Sequence, residues 1–140
     1  MSINNCKLGE QGGIAIGEAI KFENTGKMAE KTDQHITNIY ARHNQFKDET
    51  AKYIADGIKS KTCQVKRLDL SRNGINDAGG ELIAEALSVN NYLQYLDLSH
   101  NLLRVSSGSM FVQSLKTNDS IKYLKLNDNC ITNDFIRAIN

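Results

Sequence analysis

The chain contains three histidines and three cysteines, the residue types that most often bind a metal ion or act as nucleophiles. The cysteines are Cys6, Cys63 and Cys130. They lie far apart, include no Cys-x-x-Cys pair and are odd in number, which argues against a disulfide framework or a structural zinc site. The simplest interpretation is a chain that keeps its thiols reduced, so we expect a cytoplasmic, intracellular location.

The histidines and glycines show no spacing typical of a catalytic site. His43 and His100 each precede an asparagine, His35 lies apart from them, and no base or orienting residue recurs beside a nucleophile. The glycine pairs 12–13 and 79–80 lack the spacing of a phosphate-binding loop, and close helix packing explains them better. We therefore expect no enzyme activity, no cofactor and no metal.

An internal repeat explains where these residues occur. An asparagine recurs in equal steps at Asn73, Asn101 and Asn129, and an earlier copy has Asn44 at nearly the same separation from Asn73. A fifth copy opens the chain, with Cys6 at the same place. One copy reads Val65-x-x-Leu68-x-Leu70-x-x-Asn73-x-Ile75.

Each copy joins a short strand to a helix. Leu68 and Leu70 alternate with polar residues, which predicts a strand with one buried side. The segment 77–87 places its apolar residues on one side of a helix. Because such a β–α unit cannot bury its apolar side alone, we expect stacked copies whose strands pair in parallel and whose helices cover one side.

The recurrent asparagine position predicts a polar ladder inside the stack. A side-chain amide can bond the backbone groups that the turn after each strand leaves without partners, and a buried cysteine fits the same narrow space. The predicted structural ladder consists of Cys6, Asn44, Asn73, Asn101 and Asn129. We expect Cys6 to be buried and unreactive.

The repeats together form one predicted domain over residues 1–140. The predicted repeats are 1–34, 35–63, 64–91, 92–119 and 120–140, the last of them truncated. A polar insertion near 23–33 makes the first repeat longer and is expected to be a solvated loop. The chain begins within a strand and stops within a helix, so we expect further repeats, another subunit or end-to-end self-association to cover an end.

The pattern Leu-x-x-Leu-x-Leu-x-x-Asn-x-(Leu/Ile) resembles the leucine-rich repeat family. The long helical half, the Asn-or-Cys position and the repeat step of about 28 residues are similar to its ribonuclease-inhibitor-like class, which includes repeat domains of NOD-like receptors, the Ran GTPase-activating protein and tropomodulin. The resemblance covers nearly the whole chain. It implies an α/β fold, a right-handed β–α solenoid of about five 28–29-residue repeats, with parallel strands on a concave face and helices on a convex face.

The outward positions of the strands contain the candidate binding residues. Tyrosine and arginine anchor many protein interfaces, and solenoids of this shape commonly bind with the concave face. The alternative is a solvated sheet face with no partner. The predicted protein-binding residues are Tyr40, Arg42, His43, Arg67, Asp69, Arg72, Tyr95, Asp97, His100, Tyr123 and Lys125.

Charge and hydropathy exclude several other functions. There are 17 Lys and Arg against 16 Asp and Glu, so the nearly neutral net charge does not favour binding to nucleic acid. No apolar run is long enough to insert in a membrane, and we expect no secretory signal at the N-terminus. We expect a non-enzymatic interaction module or scaffold that binds another protein. The alternatives are a regulator of a small GTPase, similar to the Ran activator, and a structural subunit of a larger assembly.

Overall fold

A computed structural model describes residues 1–21 and 36–131, and helices alternate with strands along this part of the chain. The helices are α1 (Gly9–Lys21), α2 (Asp48–Lys59), α3 (Asp77–Val89) and α4 (Val105–Leu115). The strands are β1 (Asn38–Tyr40), β2 (Arg67–Asp69), β3 (Tyr95–Asp97) and β4 (Tyr123–Lys125). None of these helices is both long and apolar enough to cross a bilayer. The insertion near 23–33, His35 and the helix expected in the last repeat lie outside the described residues.

The strands form one parallel sheet in the chain order β1–β2–β3–β4. Leu68 is the partner of Ile39 on one side and of Leu96 on the other, and Leu96 is the partner of Leu124. A parallel bridge connects Ser2 to β1, so the first copy continues the sheet. The stacked row of central apolar residues confirms the predicted architecture of repeated β–α units.

One apolar core lies between the sheet and the helices. It includes Leu68 and Leu96 from the strands and Ile54 and Ile83 from the helices, and all four side chains are 0% exposed. Side chains alternate along a strand, so the residues on either side of each central leucine point away from the helices. Burial of this continuous apolar surface is the dominant favourable term for units that cannot be stable alone.

Glycines allow neighbouring helices to approach closely. A Cβ atom at Gly13 would overlap the side chain of Thr50, and one at Gly17 would overlap the backbone carbonyl of Tyr53, both on α2. A Cβ atom at Gly79 would lie 2.6 Å from a side-chain oxygen of the first residue of α2. Helix packing therefore accounts for these glycines.

Candidate functional site

Asparagine amides connect successive coils at the turn after each strand. Asn101 Oδ1 accepts a hydrogen bond from the backbone N–H of Ile75 at 3.2 Å, and its Nδ2 donates to the carbonyl oxygens of Leu70 at 3.1 Å and Leu98 at 3.0 Å. Corresponding bonds are made by Asn44, Asn73 and Asn129. These bonds hold the end of each strand against the next coil and so fix the positions of the side chains on the open side of the sheet.

Cys6 occupies the first position of this ladder, but it is exposed, so the expectation of a buried cysteine is wrong. Its thiol donates to the carbonyl oxygen of Asn4 at 3.3 Å, and its backbone N–H donates to Asn44 Oδ1 at 3.0 Å. The ladder position becomes buried only where a coil lies on both sides of it. No described coil covers the outer side of the first copy, so its residue stays in contact with solvent.

Two rows of side chains flank the central apolar row on the open side of the sheet. The first row is Asn38, Arg67, Tyr95 and Tyr123, and the second is Tyr40, Asp69, Asp97 and Lys125. Within each row, neighbouring residues are register partners on adjacent strands, about 4.8 Å apart. We call these two rows the sheet face.

Arg67 lies at the centre of an aromatic cluster on the sheet face. Its guanidinium carbon is 3.7 Å from the ring centroid of Tyr95 and 5.6 Å from that of Tyr40. The rings of Tyr95 and Tyr123 have centroids 6.2 Å apart and planes tilted by 46°. Tyr123 is 65% exposed and forms the open end of the cluster. Cation–π and aromatic contacts of this kind hold large side chains in place while leaving contact surface available.

The two aspartates of the second row are bonded within the sheet. Asp97 is 7% exposed, and its Oδ1 accepts from the backbone N–H of Ser99 at 3.0 Å and from the Ser99 hydroxyl at 2.6 Å. Asp69 accepts from the N–H and hydroxyl of Ser71 in the same way. Both carboxylates therefore stabilise the turn after the strand, and Asp97 offers little surface to a partner.

Lys125 completes the second row as an exposed cation. Its Nζ lies 5.5 Å from the ring centroid of Tyr95 and 3.8 Å from Asp97 Oδ2. Hydrogen bonding to the Tyr95 hydroxyl, together with the charge of the Asp97 carboxylate, raises the pKa of Lys125. The ammonium group is therefore charged at physiological pH.

A third row of side chains lies where the backbone turns after each strand, and these residues adopt left-handed φ angles. The row contains His43, Arg72, His100 and Asp128, with φ between 54° and 58°. Arg72 contacts His100 Nε2 at 3.3 Å, and the same nitrogen lies 3.2 Å from Asp128 Oδ2. His43 Nδ1 lies 2.8 Å from Asn5 Oδ1 instead, so the two histidines belong to separate contacts. Within residues 1–21 and 36–131, no group of three His, Cys, Asp or Glu could hold a metal ion.

Two open grooves lie at opposite ends of the strands. The aromatic groove, with a volume of about 530 Å³, lies where the strands begin, and the histidine groove, of about 400 Å³, lies beyond their ends. The aromatic groove is lined by Asn38, Tyr40, Lys66, Arg67, Gln94, Tyr95, Lys122 and Tyr123. The histidine groove is lined by His43, Gln45, Lys47, Arg72, Asn73, Gly74 and His100. Neither lining includes a carboxylate. Arg42, also in the predicted set, is exposed between β1 and the histidine groove.

Aspartates at helix starts connect neighbouring helices, a contact that was not predicted from the sequence. Asp77 Oδ1 accepts from the backbone N–H groups of Arg104 at 2.7 Å and Ser107 at 3.2 Å, at the start of α4. Asp48 does the same for α3, whose own N-cap is Asn76. Burial alone would raise the pKa of Asp77, but the Ser107 hydroxyl, these N–H groups and the charge of Arg104 lower it overall. The recurrence of an aspartate at equivalent positions of two successive repeats was the available signal.

A second asparagine ladder, also missed, lies at the other end of the helices. Asn90 Nδ2 donates to the carbonyl oxygen of Ile58 at 2.8 Å, and Asn118 Nδ2 donates to that of Leu87 at 2.7 Å. Each amide thus bonds the last turn of the helix that belongs to the previous repeat. Their separation by one repeat step was visible in the sequence.

The sequence of two central repeats matches a known family. The family model described as Leucine Rich repeat matches residues 63–84 and 89–106, which include β2 and β3. Together with the in-register sheet, this match decides which repeat is present. The chain contains leucine-rich repeats. Its repeat step of about 28 residues and its long helices are similar to those of the ribonuclease-inhibitor-like class.

Solved structures show the same fold in other proteins. Among them is the chain titled "Leiomodin-1 Actin-Binding Site 2 (ABS2)", which is similar with a TM-score of 0.65 and 20% identity, over 90% of this leucine-rich repeat protein and 69% of that chain. At this identity the similarity establishes a shared fold. No curated protein sequence matches the chain significantly.

Proposed function

We propose that this leucine-rich repeat protein is a non-enzymatic module that binds another protein with its sheet face. The observation that carries the proposal is the cluster of Arg67 with Tyr40, Tyr95 and Tyr123. Tyrosine and arginine are the residues most enriched where truncation to alanine weakens protein interfaces. Here they lie together on the side of the sheet that the described helices leave uncovered.

The geometry of the cluster favours binding because it is ordered before a partner arrives. Arg67 lies against the Tyr95 ring, and the ladder amides fix the strands beneath. A partner therefore immobilises few additional side chains, which lowers the entropic cost of association. Tyr123, at 65% exposure, retains most of its area for a contact.

Two narrower functions remain candidates for the same face. The similar solved chain is titled as an actin-binding site, which makes actin a partner to include in tests. Regulation of a small GTPase rests only on the resemblance to the Ran activator. Membership of a larger assembly as a structural subunit is compatible with the same contacts.

Affinity capture from an extract of the source organism, followed by mass spectrometry, tests the proposal. We expect Tyr123→Ala to lower recovery of the captured protein at least tenfold while circular dichroism is unchanged, because the most exposed aromatic anchor of the cluster is lost. Tyr92→Ala is the matched control, since Tyr92 is 49% exposed but lies outside the sheet face. Retention of the partner by Tyr123→Ala together with its loss from Tyr92→Ala would refute the assignment. Purified actin and a GTP-hydrolysis assay with the captured GTPase separate the narrower candidates.

A further inference from the structure

We propose that the aromatic groove binds an extended, acidic peptide segment of the partner protein. This inference deepens the proposed function and rests on it. The occupant is identified by charge complementarity, because the groove is lined by three cations, three tyrosines and two uncharged amides, and by no carboxylate.

Two of the three cations, Lys66 and Lys122, lie in one row across the strands. The Gln94 N–H donates to the Lys66 carbonyl oxygen at 2.8 Å, and the Lys122 N–H donates to the Gln94 carbonyl oxygen at 2.9 Å. These bonds place Lys66 and Lys122 on either side of Gln94, two strand spacings or about 10 Å apart. Both lysine side chains are exposed. A chain of carboxylates lying across the strands would meet one ammonium group at each end.

Arg67 supplies a further position for a carboxylate. Its Nε is the one buried side-chain nitrogen or oxygen atom, among those of the described residues, that has no hydrogen-bond partner. A buried donor left unpaired costs free energy, and a carboxylate in the groove would recover it by bonding Nε and a terminal nitrogen once the guanidinium tilts to admit it. The Tyr95 ring beneath the guanidinium holds it in place for such a contact.

The same geometry favours a peptide over a single-stranded nucleic acid. Base stacking needs an open aromatic face, whereas one face of the Tyr95 ring is covered by Arg67 at 3.7 Å. An extended peptide advances about 3.3 Å per residue with alternating side chains, so acidic residues about two or four positions apart share one side and span about 7 or 13 Å, which brackets the lysine separation.

Selection from a library of random twelve-residue peptides displayed on phage tests this inference. We expect the wild-type chain to enrich sequences rich in Asp and Glu, and their binding to weaken as salt is raised. The double variant Lys66→Glu/Lys122→Glu should bind these peptides about tenfold more weakly and should itself select sequences rich in Lys and Arg. The matched control is Lys52→Glu/Lys116→Glu, which changes net charge equally at exposed lysines outside the groove and should behave as wild type.

Three results would overturn the inference. They are selected peptides without an acidic bias, equal loss of binding in both double variants, and displacement of the acidic peptides by single-stranded RNA that itself binds in the groove. Failure of this inference can be distinguished from failure of the proposed function. If Tyr123→Ala releases the captured partner but Lys66→Glu/Lys122→Glu does not, the sheet face binds a protein and only the acidic character of the segment is wrong.

Discussion

Replacing Asn101 with alanine removes one step of the ladder between two complete coils. Asn101 is 5% exposed, and the substitution deletes its bonds to the N–H of Ile75 and to the carbonyl oxygens of Leu70 and Leu98. Each bond contributes about 1 kcal/mol to folding, so the free energy of unfolding should fall by about 3 kcal/mol. That is a large part of the roughly 5–15 kcal/mol typical of a domain.

Urea denaturation measures this loss. Circular dichroism reports the helices, and tyrosine fluorescence is a second probe because the chain has no tryptophan and three of its five tyrosines lie on the sheet face. Coincidence of the two transitions justifies a two-state fit, which repeat proteins do not always satisfy. Asn129→Ala is the control, since Asn129 makes the equivalent three bonds but is only partly buried, and water can replace them. Equal losses for the two variants, or a loss below about 1 kcal/mol for Asn101→Ala, would refute the reasoning.

Other substitutions test other contacts. Gly17→Ala introduces a Cβ against a backbone carbonyl of α2, so thermal unfolding should report destabilisation of about 2 kcal/mol, and an unchanged melting temperature would contradict the packing. The pKa of Asp77 is lower in the folded state than in the unfolded state, where it is near 3.9, so the ionised carboxylate stabilises the fold above that pH. This stabilisation is lost as the pH falls through the pKa of the folded state. The difference in free energy of unfolding between wild type and Asp77→Asn should therefore shrink from pH 5 to pH 2 in denaturation curves. Burial, only partly offset by hydrogen bonds, raises the pKa of Cys63, so iodoacetamide followed by mass spectrometry should label the exposed Cys6 and Cys130 well before it, and equal rates would contradict its burial.

The arrangement of the strands was predictable because the repeat step decides the strand pairing. A constant separation between Leu68, Leu96 and Leu124 leaves one in-register parallel alignment, and the sheet has that alignment. The burial of Cys6 was predicted wrongly for the same reason. A repeat describes an interior copy, whereas the environment of a first copy depends on what lies beside it.

The individual contacts on the sheet face depend on side-chain choices that a pattern does not contain. The strand pattern predicted Arg67 to lie near Asp69 on its own strand and near Tyr95 on the next strand. In the structure its guanidinium packs against the Tyr95 ring. Asp69 is instead bonded to Ser71, and the spacing Asp-x-Ser, present again at 97–99, would have indicated this. The unpaired Nε of Arg67 had no signal in the sequence, because it depends on how the side chain packs against its neighbours.

The two asparagine ladders and the aspartates at the helix starts join each coil to the next by nearly the same set of bonds. A gene duplication or deletion that adds or removes one whole coil would therefore rejoin matching donors and acceptors at the new junction. An insertion or deletion within the strand, or in the turn that follows it, would displace these groups and leave buried amides without partners. Evolution can thus widen or narrow the sheet face in steps of one strand, with little risk to folding.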